Sequence, residues 1–282
     1  MSLRSALPAL LALWYLAPLE AAAQALAHYD LSGKPAWRAP LPLDLAEISG
    51  IAFAPDGRLL AHGDEQAMIW QFDLRTRQLE GRFAFVGPGG ILRGDFEDIQ
   101  VVGERVFLVT SNAVIYEGKI APDGKTAESH ARTKGLGGGC EVEGMSWDEP
   151  TRSLLLLCKT TRSKQWSDRV VVVAVSVDDW RFEPEPRILI KESHLEKFTG
   201  QKRFNGSALV RHPRTGTYLL VAGPQRAFAE VSPAGEVLGG GTLHKNLHRQ
   251  PEGLAIAPDL TLLVSDEAAG GEASITGYAF RP

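Results

Sequence analysis

Glu143-Gly-Met-Ser-Trp147, a turn at Asp148-Glu-Pro-Thr-Arg152, and then Ser153-Leu-Leu-Leu-Leu-Cys-Lys159 read as strand, turn and strand. Branched and aromatic runs punctuated by Gly, Pro and Asp are what such a hairpin needs. The same opening phrase returns as Ser49-Gly-Ile-Ala-Phe53, Glu97-Asp-Ile-Gln-Val101, Gly206-Ser-Ala-Leu-Val210 and Glu252-Gly-Leu-Ala-Ile256. Each begins with an acidic or small residue and continues small, apolar, small or polar, apolar. A second strand follows each: Arg58-Leu-Leu-Ala-His-Gly-Asp64, Val106-Phe-Leu-Val-Thr-Ser-Asn112, Thr217-Tyr-Leu-Leu-Val-Ala-Gly223 and Thr261-Leu-Leu-Val-Ser-Asp-Glu267. The steps between motifs are 48, 46, 63 and 46 residues.

A repeat of this length with three or four strands per unit predicts an all-β chain, a β-propeller of five blades. No unit can bury both faces of its sheet alone, so the units must pack around an axis. A β-sandwich would need five look-alike hairpins by coincidence. The long step holds Trp166 to Gly200, readable as an insertion with a short helix around Lys191–Lys197; a sixth blade stays open there. Residues 28 to 41 precede the first motif, whereas the last unit stops after its third strand, so an N-terminal strand is expected to close the ring.

Composition agrees with a folded domain. The 282 residues are 44% hydrophobic and 23% charged, and 29 glycines match many tight turns. A net charge of −4 argues against a nucleic-acid binder, which needs a basic surface. The start, with Arg4, an uncharged run from Ser5 to Leu19 and Ala21-Ala-Ala23, predicts a secretory leader cleaved after Ala23. The apolar stretch Ala6–Leu19 is shorter than the ~20 residues of a membrane span. Residues 24–282 are then a single domain, periplasmic or secreted and without a transmembrane segment, expected to be a monomer. Export favours a disulfide between Cys140 and Cys158, the only cysteines; two buried thiols are the alternative.

The phrases Cys140-Glu-Val-Glu-Gly-Met-Ser-Trp147, Asp95-Phe-Glu-Asp-Ile99 and Gln250-Pro-Glu-Gly-Leu-Ala-Ile-Ala-Pro258 resemble the SdiA-regulated (YjiK-like) family of exported β-propellers, itself similar to phytase-like propellers. The resemblance covers about Leu45 to Phe280. It implies a propeller with an acidic central mouth and calcium, and no fixed activity. The fourth motif, Phe204-Asn-Gly-Ser-Ala208, lacks a carboxylate, so the acidic ring is incomplete there.

Glu97, Glu143 and Glu252 open equivalent inner strands and should face a common axis. Glu47, Asp95, Glu141 and Gln250 sit two residues earlier, on the same side of an extended chain. Carboxylates gathered at one mouth repel unless cations or protons intervene, and Ca²⁺ takes six to eight such oxygens. The expected metal set is therefore Glu47, Asp95, Glu97, Glu141, Glu143 and Glu252, with Ser49, Asn205 and loop carbonyls completing the cation's shell, and a small-molecule or protein ligand is expected to bind through it. The plainer alternative has these glutamates capping backbone N–H groups.

A phosphoesterase reading follows from the phytase-like resemblance: the cation would orient a phosphate ester, with Arg93, Lys159, Arg203 and Arg249 holding its oxygens. No catalytic residue is assigned. The chain has no Gly-x-Ser-x-Gly elbow, and His244 and His248 lack the Glu of a zinc-protease motif.

Overall fold

A computed structural model describes residues 24–137 and 139–282; the expected leader, residues 1–23, lies outside them. Five blades surround an axis. From inner to outer strand the first is Ile48–Phe53, Leu59–Gly63, Met68–Asp73 and Gln78–Gly87. The second is Phe96–Val102, Arg105–Thr110, Ile115–Lys119 and His130–Ala131. The third is Cys140–Asp148, Ser153–Thr161, Arg169–Ser176 and Ile188–Lys191. The fourth is Ala208–Arg211, Tyr218–Ala222, Ala227–Val231 and Val237–Thr242. The fifth runs Pro251–Ile256, Leu262–Asp266 and Ser274–Tyr278, and its outer strand is Trp37–Pro40 from the other end of the chain.

Continuous apolar runs such as Leu154–Leu157 are buried on both sheet faces because each blade is sandwiched between two others. Five apolar clusters fill the five seams. Leu155, Leu157 and Val172 meet Leu209 and Leu220 between the third and fourth blades, for example, and Ile48, Ile51 and Leu59 meet Leu263 and Ile275 between the first and fifth. The inner strands approach so closely that a side chain at Gly144 would lie 3.0–3.1 Å from the backbone of Ala208 and Leu209. Among the described residues no helix is long and apolar enough to cross a membrane.

The long step between the third and fourth motifs holds no sixth blade. Most of it is the third and outer strands of the third blade, and the added elements are a 3-10 turn at Lys164–Trp166 and the helix Glu192–Thr199. That helix stops at Gly200, whose φ of 68° suits the left-handed cap, and it buries Leu195 in the seam between the third and fourth blades.

Closure uses two contacts. Trp37–Pro40 pairs antiparallel with Ser274–Gly277, as expected for residues 28 to 41. Upstream, the fully buried Glu230 carboxylate accepts the Ala25 and Leu26 N–H groups at 2.7 and 2.8 Å and the Thr217 hydroxyl at 2.6 Å. Tyr29 and Leu31 then pack into the seam between the fourth and fifth blades. A methyl group at Gly277 would overlap the Trp37 indole across the closing pair. Gly277→Ala should therefore destabilise by about 1–3 kcal/mol, the usual range for overpacking. Thermal melting should show a drop of several degrees; an unchanged Tm would mean that this pair does not hold the ring shut.

Candidate functional site

Four inner strands skip one residue at the same height. Pairing jumps from Ile48/Gly63 to Gly50/His62, from Phe96/Thr110 to Asp98/Val109, from Val142/Cys158 to Gly144/Leu157 and from Pro251/Asp266 to Gly253/Ser265. The skipped residues Ser49, Glu97, Glu143 and Glu252 bulge out of the ladder, a device that re-aims side chains. In the fourth blade Ala208 pairs with Val221, so the equivalent residue is Ser207, not the Gly206 of the sequence alignment. The motif there is slipped by one. Asn205 thereby becomes the counterpart of Glu47, Asp95, Glu141 and Gln250.

At one end of the axis a cavity of about 100 Å³ is lined by Ser49, Asp64, Asp95, Glu97, Glu143, Lys159, Gln250, Glu252 and Glu267. Lys159 Nζ donates to Glu143 Oε1 at 2.7 Å. The disulfide between Cys140 and Cys158, whose Cα atoms are 5.5 Å apart, ties together the strand ends that carry this pair. Asp95 accepts the Ser111 hydroxyl at 2.5 Å, and Glu267 accepts the Gln250 amide at 2.5 Å. Glu97 and Glu252 have no hydrogen-bond or ion-pair partner by geometry among the described residues, and of the two Glu252 is the buried one, only 8% exposed.

Of the expected cation ligands, Asp95, Glu97, Glu143 and Glu252 meet at this mouth, together with Ser49. Glu141 points to the outside, where it accepts the Thr160 hydroxyl at 2.7 Å. Glu47 lines a neighbouring cleft instead. Asn205 donates to the Lys159 carbonyl at 3.2 Å and accepts from Gln225, outside the cavity lining. The expected phosphate clamp is dispersed: Arg203 is held by Glu192 at 2.8 Å and the Ser167 carbonyl at 2.9 Å, and Arg249 lines a separate pocket with Arg38 and Glu272. Arg93 lies on an exposed bridge to Gln66. Only Lys159 reaches the mouth. His248 is no zinc ligand, since it is buried between Asp266 at 2.7 Å and the Tyr278 hydroxyl at 2.6 Å.

The sequence reading missed Asp64 and Glu267. Both follow the second-strand residue paired just before the bulge, the position that Lys159 holds in the third blade. The signal was present in the strand endings His-Gly-Asp64, Cys-Lys159 and Asp-Glu267, which align as well as the first-strand motifs. In the fourth blade this position is Gly223, where a Cβ would sit 3.1 Å from Glu252 Oε1 and 2.8 Å from the Pro251 carbonyl.

Six carboxyl groups thus surround one ammonium. Burial, then the charges of Glu143 and Asp95, push Glu97 up to about 9. Burial, then Glu143 and Glu267, push Glu252 up to about 8. Burial, then Asp64, Glu47 and Glu143, raise Glu267 to about 7. Burial also raises Glu143, against the pull of Lys159. For Lys159 burial acts downward, but the hydrogen bond and charge of Glu143, with Glu252 and Glu141, carry it above its ordinary value. Near neutral pH the mouth therefore holds protons as well as one ammonium. Among the described residues no three His, Cys, Asp or Glu side chains converge closely enough to hold a metal ion as they stand.

Beside the mouth, meeting it at Asp64, lies a cleft of about 410 Å³ walled by Leu43, Asp44, Glu47, Glu65, Met68, Trp70 and Arg82. The other end of the axis opens between Ile51, Phe53, Ile99, Trp147, Val210 and Ile256, with Gln100, Ser146, Glu149 and Arg211 among them.

No family model and no curated protein matches the chain. Solved structures do. A glutaminyl cyclase from Myxococcus xanthus aligns with a TM-score of 0.58 at 13% identity, over 88% of this chain and 96% of that one. The PQQ-bound aldose sugar dehydrogenase from Streptomyces coelicolor gives 0.56 at 13% identity, over 87% and 97%. A luciferin-regenerating enzyme gives 0.54 at 8% identity, over 87% and 95%. These likenesses show the β-propeller fold and nothing finer; none of them names the SdiA-regulated or phytase-like families.

The raised carboxyl groups link the mouth to stability. An unfolded glutamate ionises near its ordinary value, about 4.5, whereas folded Glu97 keeps its proton up to about 9. The folded state binds the extra proton between these values. Its contribution is complete below the unfolded pKa and is lost as pH rises toward 9. The wild type should lose melting temperature across that window, and Glu97→Gln should lose less. Equal slopes for the two proteins in melts at a series of pH values would exclude a buried, proton-holding Glu97.

Proposed function

We propose that this protein is an exported binding module whose axial mouth takes a cationic group, with calcium as the inorganic candidate. The observation that carries the reading is Glu252, a buried and unpartnered carboxylate aimed into a cavity that already holds five other carboxyls and one ammonium. A buried charge without a partner is costly, and the mouth's carboxyls meanwhile hold protons. An entering cation supplies the missing opposite charge and releases those protons. The resemblance to the SdiA-regulated propellers and the expected leader point the same way, and a disulfide suits an oxidising compartment.

Calcium would have to draw the carboxylates together and detach Glu143 from Lys159, because the present spacing offers no ready-made trio. Nothing in the geometry favours the phosphoric ester hydrolase. Its basic residues do not converge, and Lys159 is committed to Glu143.

Calorimetric titration with calcium chloride tests the reading. Protons compete with the cation, so affinity should be roughly tenfold or more tighter near pH 8.5 than near pH 6, with proton release into the buffer. Glu252→Gln should abolish most of that gain. Calcium heats and melting shifts that are absent at both pH values, or identical in Glu252→Gln, would contradict calcium as the ligand.

A further inference from the structure

Resting on the reading of the mouth as a cation site, we propose that its ligand is an organic cation with an extended body. An alkylammonium or guanidinium head would enter the mouth, and the body would lie along the side cleft. Volume is the first argument. The mouth offers about 100 Å³, enough for a head group, whereas the cleft that meets it at Asp64 offers about 410 Å³.

Spacing is the second. A bare metal ion needs several oxygens at one point, and the described carboxylates are not so arranged. An ammonium with three N–H donors, or a guanidinium with five, bridges acceptors that stand apart, each at hydrogen-bond distance. Lys159 already shows this chemistry against Glu143 at 2.7 Å, while Glu252 has no such donor.

The cleft wall supplies the third. Trp70 and Met68 give it an apolar floor, and Leu43 stands on its rim 91% exposed, one of only three large apolar side chains left in solvent among the described residues. Glu47, Asp64 and Glu65 add negative charge, and among the described residues their carboxylates have no ion-pair partner. The protein's own Arg82 stacks its guanidinium 4.6 Å from the Trp70 ring centre and 3.7 Å from Asp44 Oδ2, with half its side chain in solvent. An indole beside a carboxylate is thus already a seat for a planar cation, and a weak exposed pair of this kind is readily displaced.

The same chemistry could come from a free polyamine or from a basic side chain on a peptide. Spermidine and acetyl-Lys-Leu-amide are the two probes, with methylammonium as a head group lacking a body. They are titrated into the wild type, Trp70→Ala, Glu65→Gln and Glu252→Gln, each variant first checked by melting. Wild type should bind spermidine or the peptide at least about tenfold more tightly than methylammonium; whichever binds more tightly identifies the source. Trp70→Ala should weaken the tighter probe roughly fivefold and leave methylammonium unchanged, in line with loss of a cation–π and apolar contact. Glu65→Gln, an exposed change that keeps the fold, should weaken it less but in the same direction. A probe that loses affinity in Glu252→Gln but not in Trp70→Ala or Glu65→Gln would overturn the cleft while leaving the cation mouth standing. Absence of binding by all three probes would overturn the organic-cation inference; calcium binding would then decide the mouth by itself.

Discussion

The inner strands come so close around the axis that side chains of one blade reach the backbone of the next. Asp98 accepts the Met145 N–H at 2.5 Å and Gln100 accepts the Trp147 N–H at 3.1 Å, joining the second blade to the third. Ser146 accepts the Arg211 N–H at 3.0 Å, and Ser207 donates to the Pro251 carbonyl at 2.7 Å, carrying the connection to the fourth and fifth blades. Asp98 is wholly buried, and burial drives its pKa well above the ordinary value even though it also accepts the Ile99 N–H. Such contacts demand small residues on the facing strand, which is why Gly50, Gly144 and Gly253 follow the bulges and Ala208 holds the equivalent position in the fourth blade. Once the strands are locked at this height, the bulged residues have nowhere to point except the mouth.

That geometry sets stability against binding. Gathering Glu97, Glu143, Glu252 and Glu267 in one small cavity costs free energy that the seams must offset. The protein limits the cost with protons, with Lys159 and with hydrogen bonds from Gln250 and Ser111. Glu252 has no hydrogen-bond or ion-pair partner by geometry among the described residues and is eased by its proton, and Gly223 keeps the space beside it clear. A strained electrostatic centre on an otherwise well-packed scaffold is where local rules are expected to yield to function. The disulfide beneath the Glu143–Lys159 pair holds together the two strands that carry it.

The fold was legible because its signal is repeated. Five copies of a small-apolar motif followed by a second strand required a ring, and the missing outer strand after Ser274–Tyr278 pointed back to residues 28–41. Glu97, Glu143 and Glu252 were legible for the same reason, since one bulge recurs at one height. The rest was local. Without pairing partners, nothing in Asn205-Gly-Ser207 distinguishes the true register from one slipped by a residue, and only the Ala208–Val221 pair decides it. Glu141 was placed with the mouth by alternation along the strand, but the third blade alone has a second register shift, between Glu141 and Val142, which breaks that alternation. The basic residues failed because a loop position fixes no direction: Arg203 turns to the helix at Glu192, a partner unseen until the chain is folded.

The central claim is that separate repeats bring their carboxyl groups to one shared, proton-holding mouth. The most direct measurement is a pH titration of glutamate carboxyl carbons by ¹³C NMR, assigned through Glu97→Gln and Glu252→Gln. The account predicts two glutamates with midpoints near 9 and 8, both moving downward when Glu143→Gln removes the neighbouring charge. Every glutamate titrating within the ordinary carboxyl range, below about pH 5.5, would contradict it.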